Sequence, residues 1–324
     1  MSSNRSGAQR RQGRPPEQKF FSGLWKPLGF RSAALELPGL SVRLDGMDDV
    51  WHAAFLHRYR GYARDTTSDP APCTLMLSTS RAQLDYFIEP PAAGVVEYNP
   101  VFLEVEPEAA ATGHHRVRVS TYSLAASFST RGGRGQALLS QGEYEPVERA
   151  AENVLRVAIA WLASARGGLL IHSASIVKDG RAYLFFGQSG SGKSTLSERS
   201  RRGHVVSDDL TLILPDEGGR LEVVGAPFRG TYEGGKPVFG RYPVAAGFRL
   251  RKAGPGEPAA VEPMEPGNAM ADAIANLPFV VDQLGADPSL FARVEKALAA
   301  FPIHALRFRM EDDSYWDAIE SAGI

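Results

Sequence analysis

One octapeptide constrains this chain of 324 residues more than any other feature: Gly187-Gln188-Ser189-Gly190-Ser191-Gly192-Lys193-Ser194. It matches G-x-x-x-x-G-K-[ST] residue for residue. Its glycines let the backbone curl until consecutive N–H groups point inward at phosphate oxygens, which requires a strand before the loop and a helix after it. Tyr183–Phe186 reads as a buried-type strand, and 195–202 has helical character. The motif therefore predicts a polyphosphate site built from Gly187, Gln188, Ser189, Gly190, Ser191, Gly192, Lys193, Ser194 and Thr195. Lys193 is expected to reach the β- and γ-phosphates, and the Ser194 hydroxyl to ligate Mg²⁺, with the positive end of the helix adding to the attraction.

The flanking sequence offers further chemistry. Pro146 opens a segment in which Val147, Ala150, Ala151, Val154, Leu155, Ala158, Ile159 and Leu162 recur at helical spacing until Gly167-Gly168. Two β-rich runs, 169–177 and 182–186, then surround Lys178-Asp179-Gly180 and predict a hairpin whose second strand feeds the glycine loop. Past the loop, Val205-Val206-Ser207-Asp208-Asp209 ends a short strand with two adjacent carboxylates. That pattern suits one acid serving a metal and another accepting a proton. His172 lies on the strand before the hairpin. A lone His on an apolar strand is usually a hydrogen-bonded core residue, but a strand paired beside the loop strand can carry an imidazole toward the phosphates.

The rest bounds the architecture. Residues 20–145 read mainly as β-structure: Leu40, Val42 and Leu44 alternate with Ser41, Arg43 and Asp45, and Val117 and Val119 alternate with charged neighbours. Thr74–Leu77 and Val101–Val105 are also strand-like, and the Gly-rich stretch Arg131–Gly135 reads as a mobile loop. The expected organisation is a basic disordered tail over 1–19, a β-rich N-terminal domain over 20–145 and a catalytic domain over 146–324, α/β (α+β mixed) in class. Ala269–Leu277 and Leu290–Ala300 read as amphipathic helices, and His114-His115 as the polar start of a strand. With 36 Lys+Arg against 37 Asp+Glu, the charge balance disfavours attraction to nucleic acid or anionic membrane. No apolar run reaches the roughly 18 residues of a membrane span. The single cysteine, Cys73, excludes an intramolecular disulfide framework and points to the reducing cytoplasm.

Taken together, His172, the hairpin, Gly187–Ser194, Arg202-Gly203-His204 and Asp208-Asp209 resemble, in order and spacing, the catalytic domain of the HPr kinase/phosphorylase family. That family belongs to the P-loop kinase branch related to phosphoenolpyruvate carboxykinase. The resemblance covers roughly 168–214. More loosely, Phe301–Leu306 and the Trp316 segment also resemble this branch; the N-terminal half does not. The resemblance implies an ATP- and Mg²⁺-dependent kinase acting on a serine hydroxyl of a protein or peptide, and a homo-oligomer. It implies Asp209 as proton acceptor, Asp208 beside the metal, and His172 and Lys193 stabilising the transferring group. Where that family carries E-[IV]-R-G-L-G, this chain has Pro227-Phe228-Arg229-Gly230-Thr231-Tyr232-Glu233-Gly234-Gly235, with Glu233 as the stand-in metal ligand. Phosphorolysis is accordingly not implied.

Competing readings fare worse. No Asn is followed by Lys, so the N-K-x-D element of a GTPase is missing, as is the Leu-Ser-Gly-Gly-Gln segment of an ATP-binding cassette. The remaining rivals are a non-catalytic ATP-binding regulatory module and a kinase of small-molecule hydroxyls.

Overall fold

The computed structural model describes residues 21, 25–91, 100–108, 112–228, 230 and 238–324. The tail expected over 1–19 and the candidate ligand Glu233 both lie outside the described residues.

In the first half, period-two alternation becomes a mixed sheet. β1 (Arg31–Leu37) and β2 (Leu40–Met47) form a hairpin around Pro38-Gly39, with Gly39 at φ 91°. Asp48 then caps α1 (Asp49–Arg58), its carboxylate accepting from the Trp51 amide at 2.8 Å. β3 (Ala63–Asp65), β4 (Leu75–Arg81), β5 (Phe102–Pro107), β6 (His115–Ser120), β7 (Leu124–Ser129) and β8 (Gly133–Leu139) complete a sheet ordered β3-β1-β2-β4-β8-β7-β6-β5.

β8 corrects the loop expected at Arg131–Gly135. Thr130-Arg131 forms a turn closed by the Gly132 amide donating to the Ser129 carbonyl at 3.0 Å, and Gly133 begins a strand paired parallel to β4 and antiparallel to β7. These glycines answer crowding by distant backbone: a Cβ on Gly132 would lie 2.2 Å from the Thr74 carbonyl oxygen, and one on Gly135 2.6 Å from that of Ser127.

α2 (Val147–Ala165) follows Pro146 as expected, with nearly every side chain past its first turn buried apart from those of Glu152, Arg156 and Ala165. It packs on β2, β6 and β7 from one side and on the following strands from the other. The apolar core is therefore continuous from Ala33 through α2 to Phe301.

β9 (Leu169–Lys178) and β10 (Arg181–Phe186) form the hairpin, with Asp179 and Gly180 at φ 50° and 75° as a two-residue turn of this kind requires. The glycine loop then leads into α3 (Lys193–Arg199), shorter than the helix expected to Arg202. β11 (His204–Ser207), β12 (Leu210–Pro215), β13 (Leu221–Val224) and β14 (Arg241–Lys252) follow. β9, β12, β13 and β14 are successive antiparallel neighbours, and β14 also pairs in parallel with β10. These pairings close a five-stranded barrel. β15 (Ala260–Pro263), α4 (Pro266–Ile274), α5 (Val281–Leu284), α6 (Pro288–Leu298), β16 (Ile303–Phe308) and α7 (Tyr315–Ser321) complete the chain, with β16 parallel to β14 and β15 on its outer side. The class is mixed α and β, with sheet and barrel packed around one central helix. No helix among the described residues is long and apolar enough to cross a membrane.

Candidate functional site

β9 gathers the site. On one edge Ser173 pairs with Phe186, so the glycine loop leaves β10 beside the middle of β9. On the other edge Ser175 pairs with Ser207 of β11 and His172 with Leu210 of β12. Asp208-Asp209 is the corner between those two strands and must emerge at the same point. One strand thus brings together three segments of sequence.

The loop has the conformation its glycines predict. Gly187, Gly190 and Gly192 lie at φ 154°, 79° and 100°, and a Cβ on Gly192 would meet the Phe308 ring at 2.5 Å. The Ser191 amide donates to the Gln188 carbonyl at 3.0 Å, whereas the amides of Ser189, Gly190 and Gly192 find no hydrogen-bond acceptor among the described residues. The Ser191 hydroxyl is buried and likewise unpaired. Lys193 is only 8% exposed, and its ammonium donates to the Gly187 carbonyl at 2.9 Å. Burial pushes the pKa of this ammonium down, and the nearby Asp209 charge offsets part of that shift. Ser194 and Thr195 stand half-buried in the first turn of α3.

The two aspartates have different surroundings. Asp208 is buried, with Oδ1 accepting from the Gly230 amide at 2.8 Å. On Asp209, Oδ1 lies 3.2 Å from His172 Nε2 and Oδ2 lies 3.5 Å from Arg156 Nη2. Burial alone raises the Asp209 pKa. Contact with His172 and the charges of Arg156 and Lys193 outweigh it and hold the carboxyl below its ordinary range. Beneath the corner, the Ser207 hydroxyl donates to the Leu210 carbonyl at 2.9 Å and receives the Asp209 amide at 3.3 Å. The structure therefore brings together His172, Lys193, Asp208 and Asp209.

Arg156 and its partner Glu152 escaped sequence reasoning. They lie four apart on α2, with Arg156 Nη2 2.6 Å from Glu152 Oε1, and Glu152 also pairs with Arg58 of α1. Locally that spacing reads as an ordinary helix ion pair. The available signal was a pair of charges, Glu152 and Arg156, beyond the first turn of a largely apolar helix.

For a divalent cation, Ser194 and Asp208 could supply hard oxygen donors of the kind Mg²⁺ takes when phosphates and waters complete its shell. Among the described residues no three His, Cys, Asp or Glu side chains converge into a protein-only cage. The donor set fits a nucleotide-borne ion.

A family model described as "SynChlorMet cassette protein ScmC" matches residues 148–282, from the first turn of α2 into α5, and includes every residue of this cluster. That finding corrects the expected membership of the HPr kinase family and removes the ground for the homo-oligomer inferred from it. A glycine-rich loop and a pair of aspartates are short patterns that unrelated lineages share, so they do not fix the lineage. No curated protein matches the chain. Its similarity, over somewhat less than half its length, is to the ScmC family.

Proposed function

We propose that the chain is an ATP-dependent phosphotransferase that passes the γ-phosphoryl group to a hydroxyl, with a serine of a protein or peptide as the favoured acceptor. The observation that carries this reading is the buried Lys193 ammonium inside a loop whose Ser189, Gly190 and Gly192 amides are unpaired among the described residues, near a carboxylate held at both oxygens. The loop amides and Lys193 bind and orient the β- and γ-phosphates. Ser194 and Asp208 would hold Mg²⁺, which when bound offsets phosphate charge. Asp209 takes the proton from the acceptor hydroxyl as the new P–O bond forms and ADP leaves with the electrons of the old one. His172 and Lys193 stabilise the charge of the transferring group. The His172 side chain is 43% exposed, so the cluster opens to the surface, where a polypeptide hydroxyl can reach it. With Cys73 unpaired, the reducing cytoplasm is the compartment we assign.

A carboxylate held below its ordinary pKa is a weak base in the ground state, which favours a second reading as an ATP-binding regulatory module. The loose transition state of phosphoryl transfer moderates that objection, because little proton transfer is needed before the P–O bond breaks. Incubation with Mg-ATP and a library of serine peptides and small alcohols separates the readings. Asp209→Asn should bind ATP like the wild type while transfer falls by about 10²- to 10⁴-fold. Transfer unchanged in this variant removes Asp209 from the base role, and ATP binding without transfer in the wild type favours the regulatory module.

A further inference from the structure

Asp209 sits on a two-residue corner between the short strands β11 and β12. The groups that hold it come from elsewhere: His172 from β9 and Arg156 from α2. The Arg156 guanidinium is anchored three ways before it reaches Asp209. Glu152 Oε1 lies 2.6 Å from Nη2, the Phe228 ring lies 5.7 Å from the guanidinium carbon, and α2 itself is packed between sheet and barrel. Glu152 is in turn held by Arg58. The charges alternate along this line: Arg58, Glu152, Arg156, Asp209.

We propose that Arg156 is a positioning residue, which fixes the plane of the Asp209 carboxylate from the Oδ2 side while His172 fixes Oδ1. This rests on the phosphotransferase reading and deepens it. Arg156 touches neither nucleotide nor acceptor in this role. It acts through Asp209, making the corner a site where a proton acceptor is held in line with the loop. An error of about 1 Å in such a group is enough for a 10²-fold loss of rate. The rival account is that Arg156 merely balances the half-buried Glu152 charge.

The test uses the full chain and two readouts. In steady-state phosphoryl transfer, Arg156→Met should lower kcat by about 10- to 100-fold with KM for ATP unchanged, since the nucleotide is held by the loop. In an Asp209→Asn background the same substitution should have no further effect, and Arg156→Lys, which keeps the charge, should recover part of kcat. Independently of turnover, ¹⁵N spectra of the nucleotide-free protein should show the His172 Nε2 resonance moving in Arg156→Met as it does in Asp209→Asn. Thermal melts establish that each variant is folded, and Arg156→Lys carries both measurements if Arg156→Met is not. A kcat loss that multiplies in the double variant, a parallel rise in KM, or an unmoved His172 resonance overturns the proposal. Absence of transfer in the wild type overturns the phosphotransferase reading, while the His172 resonance still decides whether Arg156 positions Asp209.

Discussion

Lys193 carries a positive charge into a place where the nearest hydrogen-bond acceptor is a neutral carbonyl, that of Gly187. Burial lowers its pKa and Asp209 only partly restores it. A lysine with a folded-state pKa below its unfolded value destabilises the fold at pH values below the folded pKa, and the penalty disappears as pH rises past the unfolded one. While protonated, the ammonium is therefore a strain on the loop, which a bound polyphosphate would offset. Lys193→Met keeps the length of the stem and removes the charge. The variant should melt no lower than the wild type without nucleotide and should lose most of the nucleotide-induced rise in melting temperature. An equal nucleotide-induced rise in both proteins, measured by scanning calorimetry, would show that Lys193 does not contact the ligand.

Among the elements, those with a strong local period or turn signature were legible from the residues alone: α2 after Pro146, the β9–β10 hairpin with Asp179-Gly180, and the alternating strands β2 and β6. That the glycine loop, His172 and both aspartates belong to neighbouring segments was also legible, because a strand–loop–helix signature and a hairpin lie close together in the sequence. What was not legible depends on contacts between distant segments. β8 hides in a Gly-rich stretch because Gly132 just before it and Gly135 within it respond to Thr74 and Ser127, neither of them a sequence neighbour. Arg156 hides because its partner Asp209 lies 53 positions further on and joins it only once β9 is flanked by β11 and β12. If crowding explains the β8 glycines, Gly135→Ala forces a methyl group toward the Ser127 carbonyl and the Leu77 side chain. It should destabilise the protein by about 1–3 kcal/mol in urea unfolding. A loss within experimental error would mean that the strand has room the geometry denies it.

Across the whole molecule, α2 gives the first sheet and the barrel a common core, and polar contacts tie the first half of the chain to the barrel and to α6. The Tyr62 hydroxyl donates to the Val238 carbonyl at 3.1 Å, Arg241 to the Pro38 carbonyl at 3.0 Å, and Arg293 to the Gly113 carbonyl at 3.1 Å. The most buried tie is His115 at the start of β6, whose Nε2 lies 2.6 Å from Asp287 Oδ2. The other Asp287 oxygen accepts from the Ser289 and Leu290 amides and so caps α6. Burial raises the Asp287 pKa, but the Ser289 hydroxyl, both amides and His115 together hold it below the ordinary value. A carboxyl with a lowered folded pKa contributes stability that is complete above its unfolded pKa and disappears as pH falls through the folded one. Asn keeps the capping geometry and loses the charge, so Asp287→Asn isolates the ionic part of the tie. At pH 7 it should cost about 1–3 kcal/mol of unfolding free energy, and the gap to the wild type should close as pH drops below about 4. A gap of constant size from pH 7 to pH 3 would assign the tie to shape and hydrogen bonding alone. Sheet and barrel would then owe their registry to α2 and the apolar core, with no contribution from ionised Asp287.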